Sequence, residues 1–197
     1  MQSFDERART WDDDPGKRAR AAAAAAAIRE AVDLHDGVRL LEYDAGTGLV
    51  SQALAADVGS VTVTDPSPGM REVMEEKVAA GVLPDTRVLD LSRDPALEER
   101  FDLVVAVMVL HHIPNLAPVL RGFAEVTAPG GTLCIVDLER EDGPSTVTGS
   151  RAMTGSTMRS SVGGYGKWGS GPRTTACASR CTVTGMTTRS SWRSAAE

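Results

Sequence analysis

Apolar and polar positions follow two alternating patterns over the first 142 residues of this chain. Short runs that are almost wholly apolar or β-branched predict strands buried on both faces, as in a parallel sheet. Stretches with apolar residues at positions i, i+3 and i+4 predict helices between those strands. The predicted strands are 38–43, 61–64, 86–89, 101–108 and 132–138. The predicted helices are 15–32, 48–56, 66–80 and 115–126. This alternation predicts an α/β protein, with helices on both faces of a parallel sheet.

Two of the predicted helices begin with recognisable signals. Asp14 followed by Pro15 is typical of an N-cap and a first helical position. Proline also opens the helix that follows the second strand, in the triplet Pro66-Ser67-Pro68. The alanine run 21–27 is a strong helix former, and we assign it no chemical role.

The periodic pattern stops near Pro144. Residues 145–197 contain no Leu, Ile or Phe and 20 Ser or Thr residues, and neither a period of two nor one of 3.6 is visible. We therefore predict one domain over residues 1–142 and a Ser/Thr/Gly/Arg-rich tail over 143–197 that supplies no core strands and is disordered or frameshifted.

Composition narrows the class of protein. A length of 197 residues with 42% apolar content is enough for a single core. The sequence has no apolar run of the length that a membrane span needs, and its start lacks the layout of a signal peptide, so we expect a cytoplasmic protein without a membrane partner. Three cysteines supply neither a disulfide framework nor a four-ligand zinc site, and we predict no metal.

Net charge divides the chain in the same place as the apolar pattern. Residues 145–197 carry seven Lys or Arg and one acid, a net charge of +6, whereas residues 1–144 carry 14 bases and 26 acids, a net charge of −12. A basic tail would suit RNA or anionic lipid. Its charges are spread singly and not clustered, however, so we expect no nucleic-acid partner.

Polar residues follow four of the predicted strands. Ligands of open parallel sheets bind beyond the carboxyl ends of the strands, and a glycine turn at a helix start lets a ligand approach the backbone. An aspartate after the second strand suits a ribose, because one carboxylate can accept bonds from two vicinal hydroxyls. The residues at these strand ends are Glu42, the turn Gly46-Thr47-Gly48, Asp65, Asp90 and the pair His111-His112.

These motifs together resemble the S-adenosylmethionine-dependent methyltransferases with the Rossmann-like fold, of the small-molecule type, over roughly residues 4–142. The resemblance rests on the acid-x-x-x-Gly-x-Gly stretch 42–48, Asp65, the pair Asp90-Leu91, the stretches 101–105 and 110–113, and the opening segment 4–12. It implies the strand order 3-2-1-4-5, S-adenosylmethionine as cofactor, and transfer of a methyl group to a small-molecule acceptor.

The resemblance also implies roles for single residues. Glu42 and the backbone of Gly46 and Gly48 would hold the methionyl end of the cofactor, and Asp65 the ribose hydroxyls. Asp90 and Leu91 would meet the adenine edge. His112 would lie near the methyl-transfer point as the candidate catalytic residue, and Trp11 would belong to a segment that covers the pocket.

Each of these residues also has an interpretation without chemistry. Asp65 and Asp90 precede turn or helix starts and would serve as caps. Glu42 would be a solvated strand end, His112 a packing residue and Trp11 a hydrophobic anchor. A dinucleotide-binding oxidoreductase domain is the alternative function, but its fingerprint requires Gly or Ala at the position of Ser51.

Asp44 departs from the pattern, because members of the resembling family usually have glycine at this position. A Cβ and a carboxylate there would crowd the turn that approaches the cofactor. The added charge would bond the cofactor's ammonium or repel its carboxylate. Impaired binding, or a degenerate non-catalytic remnant, is therefore an open alternative, and Asp44 counts among the candidate cofactor-binding residues.

The tail is the second departure. The resembling family continues past the fifth strand with a helix and a closing strand pair, and the tail shows no pattern for them, so we expect the normal closing pair to be missing and the outer edge of the fifth strand to be unpaired. One hypothesis is a shifted reading frame from about Gly143, since serine codons that begin TC would then encode Phe, Leu, Ile or Val. Sequencing the gene tests it.

Overall fold

The computed structural model describes residues 3–91, 98–138, 156–162 and 179–187. One sheet contains the described strands in the order β3-β2-β1-β4-β5-β7-β6. The strands are β1 (Arg39–Tyr43), β2 (Ser60–Thr64), β3 (Thr86–Leu89), β4 (Phe101–Val107), β5 (Thr127–Leu138), β6 (Ser156–Val162) and β7 (Ser179–Thr187). The helices are α1 (Phe4–Ala8), α2 (Pro15–Ala31), α3 (Leu49–Leu54), α4 (Pro68–Ala79) and α5 (Leu116–Val126). Short 3₁₀ turns cover Trp11–Asp13, Ala55–Asp57 and Leu110–His112.

The first five strands confirm the predicted α/β class and the order 3-2-1-4-5. All four pairings among them are parallel. In register, Glu42 of β1 lies opposite Val63 of β2 on one side and Val105 of β4 on the other. The carboxyl ends of β1, β2 and β4 therefore meet at one edge of the sheet.

Capping side chains fix where the helices begin. Asp14 caps α2, and its carboxylate accepts a hydrogen bond from the Gly16 N–H at 2.8 Å, with Pro15 at the first helical position. The Ser67 side chain caps α4, and that of Asn115 caps α5. Each of these oxygens accepts a bond from a backbone N–H that has no partner within its helix.

The core lies on both faces of the sheet, as expected for helices in two layers. On one face, Ala24, Ala25 and Ile28 of α2 belong to the same buried cluster as Leu40 and Leu54. On the opposite face, a second cluster joins α5 to the sheet. The second cluster includes Leu41, Val104, Phe123, Leu133 and Ile135.

The tail contradicts one expectation. β7 pairs with β5 in antiparallel orientation, and β6 pairs with β7 in parallel orientation. Two segments of the predicted tail thus form strands, and the prediction of an unpaired β5 edge is wrong. Ladder bonds are made by backbone groups, which a Ser/Thr-rich segment carries as fully as an apolar one, and Thr and Val suit a pleated strand. The other tail residues lie outside the described part of the chain.

Candidate functional site

A cavity of about 250 Å³ opens at the carboxyl ends of β1, β2 and β4. The strand ends and the glycine turn line one side of the cavity. The chain before α2 and the first turns of α2 also line it. Of the predicted site residues, the structure brings Glu42, Asp44, Gly46, Asp65, His112 and Trp11 together around it. Side chains that sequence analysis did not single out also line it, namely Phe4, Lys17, Arg20, Met70, Met108 and Val109.

The turn after β1 adopts left-handed backbone at three positions. The φ angles of Asp44, Gly46 and Gly48 are +56°, +60° and +75°. Gly46 lies at the cavity and donates its backbone N–H to Asp65 Oδ2 at 2.7 Å. Gly48 does not line the cavity, and a Cβ there would lie 3.2 Å from Leu83 Cδ1. Its lack of a side chain therefore serves packing against the apolar core as well as the turn.

Asp65 follows β2 and is almost fully buried, with 5% of its surface exposed. Its Oδ1 accepts a hydrogen bond from the Ser67 N–H at 2.8 Å, and its Oδ2 accepts the bond from Gly46. Burial, followed by the charge of nearby Asp44, raises the pKa of Asp65 to about 7. The two backbone donors hold this carboxyl in one orientation at the cavity wall.

Asp44 and Asp65 lie within hydrogen-bonding contact of each other through their side chains. Burial raises the pKa of Asp44, and the nearby His112 acts in the opposite direction. Two carboxyl groups can share a hydrogen bond only when one of them is protonated. The pair therefore holds a proton that neither acid would keep in water near neutral pH.

Glu42 is also buried, but it is held by protein groups. One of its oxygens, Oε2, accepts hydrogen bonds from the Ser51 N–H at 2.9 Å and from Ser51 Oγ at 2.5 Å. Burial raises the pKa of Glu42 to about 7, although Ser51 and Lys77 act to lower it. Glu42 therefore ties the end of β1 to the first turn of α3. Ser51 is itself fully buried at the position where a dinucleotide fingerprint requires Gly or Ala.

Asp90 and Leu91 are not among the residues that line the cavity within the described part of the chain. Asp90 makes an ion pair with Arg71 at 2.7 Å, and both side chains are 14% exposed. Arg71 also donates to the backbone carbonyl of Asp65 at 2.6 Å. The ion pair with Arg71 thus places Asp90 where it stabilises the turn after β2.

The N-terminal segment, residues 4–12, covers the cavity, and three of its side chains bind the rest of the domain. Asp5 accepts bonds from Ser67 Oγ at 2.5 Å and from the Gly69 N–H at 2.8 Å. Arg9 pairs with Glu76 at 2.6 Å and with Glu72 at 3.1 Å on the side of α4. Asp12 pairs with Lys77 at 2.7 Å and accepts a bond from Thr47 Oγ1 at 2.5 Å. These links connect the segment to α4 and to the glycine turn.

Aromatic rings form the inner side of this cover. The rings of Phe4 and Trp11 lie 5.9 Å apart, and the ring of Phe4 lies 6.3 Å from that of His112. Trp11 is flanked by two cations, with Lys17 Nζ at 3.7 Å and Arg7 Cζ at 4.7 Å from its ring centre. The cover therefore presents aromatic rings to the cavity, and cations stack on the ring of Trp11.

His112 lines the cavity, and its neighbour His111 is held by a carboxylate. His111 Nδ1 lies 2.6 Å from Asp137 Oδ1, and Asp137 Oδ2 accepts the Leu110 N–H at 2.7 Å. The two imidazole rings lie 3.9 Å apart. Asp137 thus fixes the short turn that carries both histidines. Sequence analysis missed Asp137, although its place near the end of β5 was available as a signal.

Lys17 and Arg20 were missed for a different reason. They lie three residues apart near the start of α2, so they share one side of the helix, but they precede an alanine run that indicated helix alone. Their presence gives the cavity basic as well as acidic groups. Among the described residues, the cavity included, no cluster of side chains could hold a metal ion. No helix in these ranges is long and apolar enough to cross a membrane.

Comparison with known proteins extends these observations. Residues 41–135 match the sequence profile of a family described as "Methyltransferase domain". A ubiquinone biosynthesis O-methyltransferase from a Methylobacterium strain is 33% identical over 105 residues, which are 53% of this chain and 42% of that protein. One of the same name from Xanthomonas campestris is 34% identical over 107 residues, covering 53% and 44%.

Solved structures show the same fold. The complex of DhpI with S-adenosylhomocysteine superposes with a TM-score of 0.58 at 25% identity, covering 70% of this chain and 66% of that one. An S-adenosylmethionine-dependent methyltransferase from Aquifex aeolicus gives 0.56 at 20% identity, covering 73% and 79%. The chain spans less than half the length of the two curated relatives described above. Residues 41–135 thus match a methyltransferase domain, and the strand order β3-β2-β1-β4-β5 with its glycine turn is the Rossmann-like fold of these structure neighbours.

Proposed function

We propose that the chain binds S-adenosylmethionine in the cavity between the strand ends and the N-terminal segment, and transfers its methyl group to a small-molecule acceptor. The observation that carries this proposal is the placement of Asp65. A buried carboxyl at the end of β2, oriented by two backbone N–H groups beside the glycine turn, suits the two hydroxyls of a ribose.

The chemistry of the cavity fits this cofactor. A sulfonium nucleoside with an amino-acid end carries a diol, an ammonium, a carboxylate and a flat base. Carboxyl groups at the strand ends suit the diol and the ammonium, and Lys17 and Arg20 suit the carboxylate. Met70, Met108 and Val109 offer apolar surface for the base or the sulfonium carbon atoms.

In this assignment Asp65 holds the ribose and Gly46 lets the backbone approach the amino-acid end. Glu42 acts through its contact with Ser51, which keeps the glycine turn and the start of α3 in register with β1. Asp90 and Leu91 remain proposals for the adenine edge. Gly48 supports the turn from its packed position near Leu83.

The bound cofactor supplies a methyl group on a cationic sulfur, so its leaving group is already activated. The protein's own task is to position the acceptor and to exclude water. Phe4 and Trp11 cover the cavity with apolar rings. His112, which faces the same space, is the group that accepts the proton an acceptor loses, since a neutral imidazole is a base near pH 7. The relatives named O-methyltransferases make a hydroxyl-bearing small molecule the first acceptor class to examine.

Calorimetric titration of the whole chain with S-adenosylhomocysteine tests the proposal. We expect one saturable site, and weaker binding by about tenfold or more in Asp65→Asn, which replaces one acceptor oxygen with a donor group. NAD⁺ titrated under the same conditions tests the dinucleotide alternative, and we expect no binding. Absence of heat at millimolar S-adenosylhomocysteine, in both the wild-type chain and Asp44→Gly, would overturn the proposed function.

A further inference from the structure

Asp44 occupies a backbone conformation that favours glycine. Its φ of +56° places it in the left-handed region, which aspartate tolerates better than most residues but which a glycine reaches without strain. The aspartate adds to this turn a side chain that glycine would lack, and Asp44 is one of the residues that line the cavity. Its carboxyl group meets that of Asp65 there.

This contact falls on the part of Asp65 that a ligand needs. Each carboxylate oxygen has about two acceptor positions. On Asp65, one position of Oδ1 is taken by the Ser67 N–H and one of Oδ2 by the Gly46 N–H. The remaining positions, one on each oxygen, are those that two vicinal hydroxyls would use. The Asp44 carboxyl competes for these positions.

We propose that Asp44 acts as an internal competitor of the nucleoside: in the unliganded chain its carboxyl group occupies the diol-binding side of Asp65, and ligand binding must displace it and release one proton. The inference rests on the proposed function, because it concerns the same cavity and the same ligand. It assigns to Asp44 the control of affinity, and of the pH at which the site accepts its cofactor.

The proton follows from the hydrogen bond between the two acids. While Asp44 and Asp65 share a proton, Asp65 is engaged; when hydroxyl groups replace Asp44, both carboxyl groups become ionised and the proton passes to solvent. Burial and the nearby Asp44 charge raise the pKa of Asp65 to about 7, so we expect the pair to keep its proton up to near-neutral pH. Binding should therefore strengthen as the pH rises from about 6 to 8, by at most about tenfold per pH unit for one released proton.

Other charged groups lie near this pair, and their effects on binding must be distinguished from that of the shared proton. His112 lies close to Asp44 and favours its ionised form, and the Asp44 charge in turn opposes ionisation of Glu42. Lys17 and Arg20 line the same cavity from α2. Ser67 and Gly46 contribute only backbone N–H groups to the pair and do not titrate.

Two variants separate competition from a merely structural effect. Asp44→Gly removes the competitor and relieves the left-handed backbone. Asp44→Asn is its matched control, since asparagine has the same shape, tolerates the same φ and can still donate a hydrogen bond to Asp65, but cannot carry the shared proton. The affinity for S-adenosylhomocysteine is measured by calorimetry at pH 6, 7 and 8, in pairs of buffers with different ionisation enthalpies, so that the number of released protons is obtained.

For the wild-type chain we expect release of close to one proton per ligand at pH 6 and little at pH 8. Asp44→Gly should bind about tenfold more tightly at pH 6, the effect of removing one hydrogen bond to a charged group, and release fewer protons. Asp44→Asn should remain weak at all three pH values and release few protons. Equal affinity and equal proton release in wild type and Asp44→Gly, with both binding the ligand, would overturn the inference and leave the proposed function standing.

Discussion

Glu42 and Asp65 are acids at strand ends whose burial raises their pKa values, and this shift can be measured as a pH dependence of stability. Both acids lie at the carboxyl ends of neighbouring strands, and both have a pKa raised to about 7, with burial as the largest cause. The folded chain therefore binds protons more tightly than the unfolded chain between about pH 4 and pH 7. Stability that comes from these protons is complete below the unfolded pKa and is lost as the pH rises through the folded one.

Replacing Glu42 by glutamine should flatten this dependence. The amide keeps an oxygen that accepts the Ser51 bonds but does not titrate. Relative to Glu42→Gln, the wild-type chain should lose up to about 3 kcal/mol of unfolding free energy between pH 5 and pH 8, which corresponds to the shift of one buried acid. Urea denaturation at several pH values measures the difference.

Glu99→Gln is the control for this experiment. Glu99 is exposed, and its partner Arg87 lowers its pKa, so its titration lies below the same pH window. That variant should run parallel to wild type from pH 5 to pH 8. A parallel curve for Glu42→Gln as well would show that Glu42 is ionised in the folded chain.

Single residues were predictable from the sequence where a strand end imposes their position. Glu42, Asp65 and His112 were found because a parallel sheet brings its carboxyl ends together, whatever the intervening helices contain. Lys17 and Arg20 come to the cavity from a helix end. Such contacts depend on how elements pack, which no local pattern records. Asp44 was recognised as a departure, but its contact with Asp65 required coordinates.

At the scale of elements, α2 illustrates a helix whose packing depends on small side chains. Its buried residues include Ala24 and Ala25, both with no exposed surface, whereas Ala22 and Ala26 face solvent. Alanine on the buried side lets the helix approach the sheet and α3 closely. The composition of the run predicted a helix correctly, but only the fold distinguishes its two sides.

Ala24→Leu and Ala26→Leu should therefore differ, although they make the same chemical change two residues apart in the same alanine run. Leucine is nearly as good a helix former as alanine, so propensity contributes little to either variant. At position 24 the added atoms must enter a filled core, and we expect a loss of about 1–3 kcal/mol of unfolding free energy. At position 26 the change should stay within about 0.5 kcal/mol. Guanidinium denaturation of both variants measures this, and equal losses would contradict the assigned orientation of α2.

At the scale of the whole molecule, the sequence predicted the five parallel strands and missed what lies beside them. Apolar periodicity reports which side chains are buried, and most residues of the central strands β1, β2 and β4 are buried. β6 and β7 join the sheet through backbone groups, which leave no trace in that periodicity. The five parallel strands and their order were thus recognisable, while the extent of the sheet was not.

The pairing of β7 with β5 predicts how a truncated chain should behave. Seven residue pairs, from Thr132 opposite Thr187 to Leu138 opposite Cys181, cover the outer edge of β5. A chain that ends after residue 142 would leave that edge with unpaired N–H and C=O groups, which favour pairing with a second copy. We expect this truncated chain to self-associate with increasing concentration in sedimentation velocity and to unfold at a lower temperature. A chain that ends after residue 190 keeps both β6 and β7 and should behave as the full-length protein does. A monomeric 142-residue chain with an unchanged unfolding temperature would contradict this prediction and show that the outer edge of β5 is stable without β7.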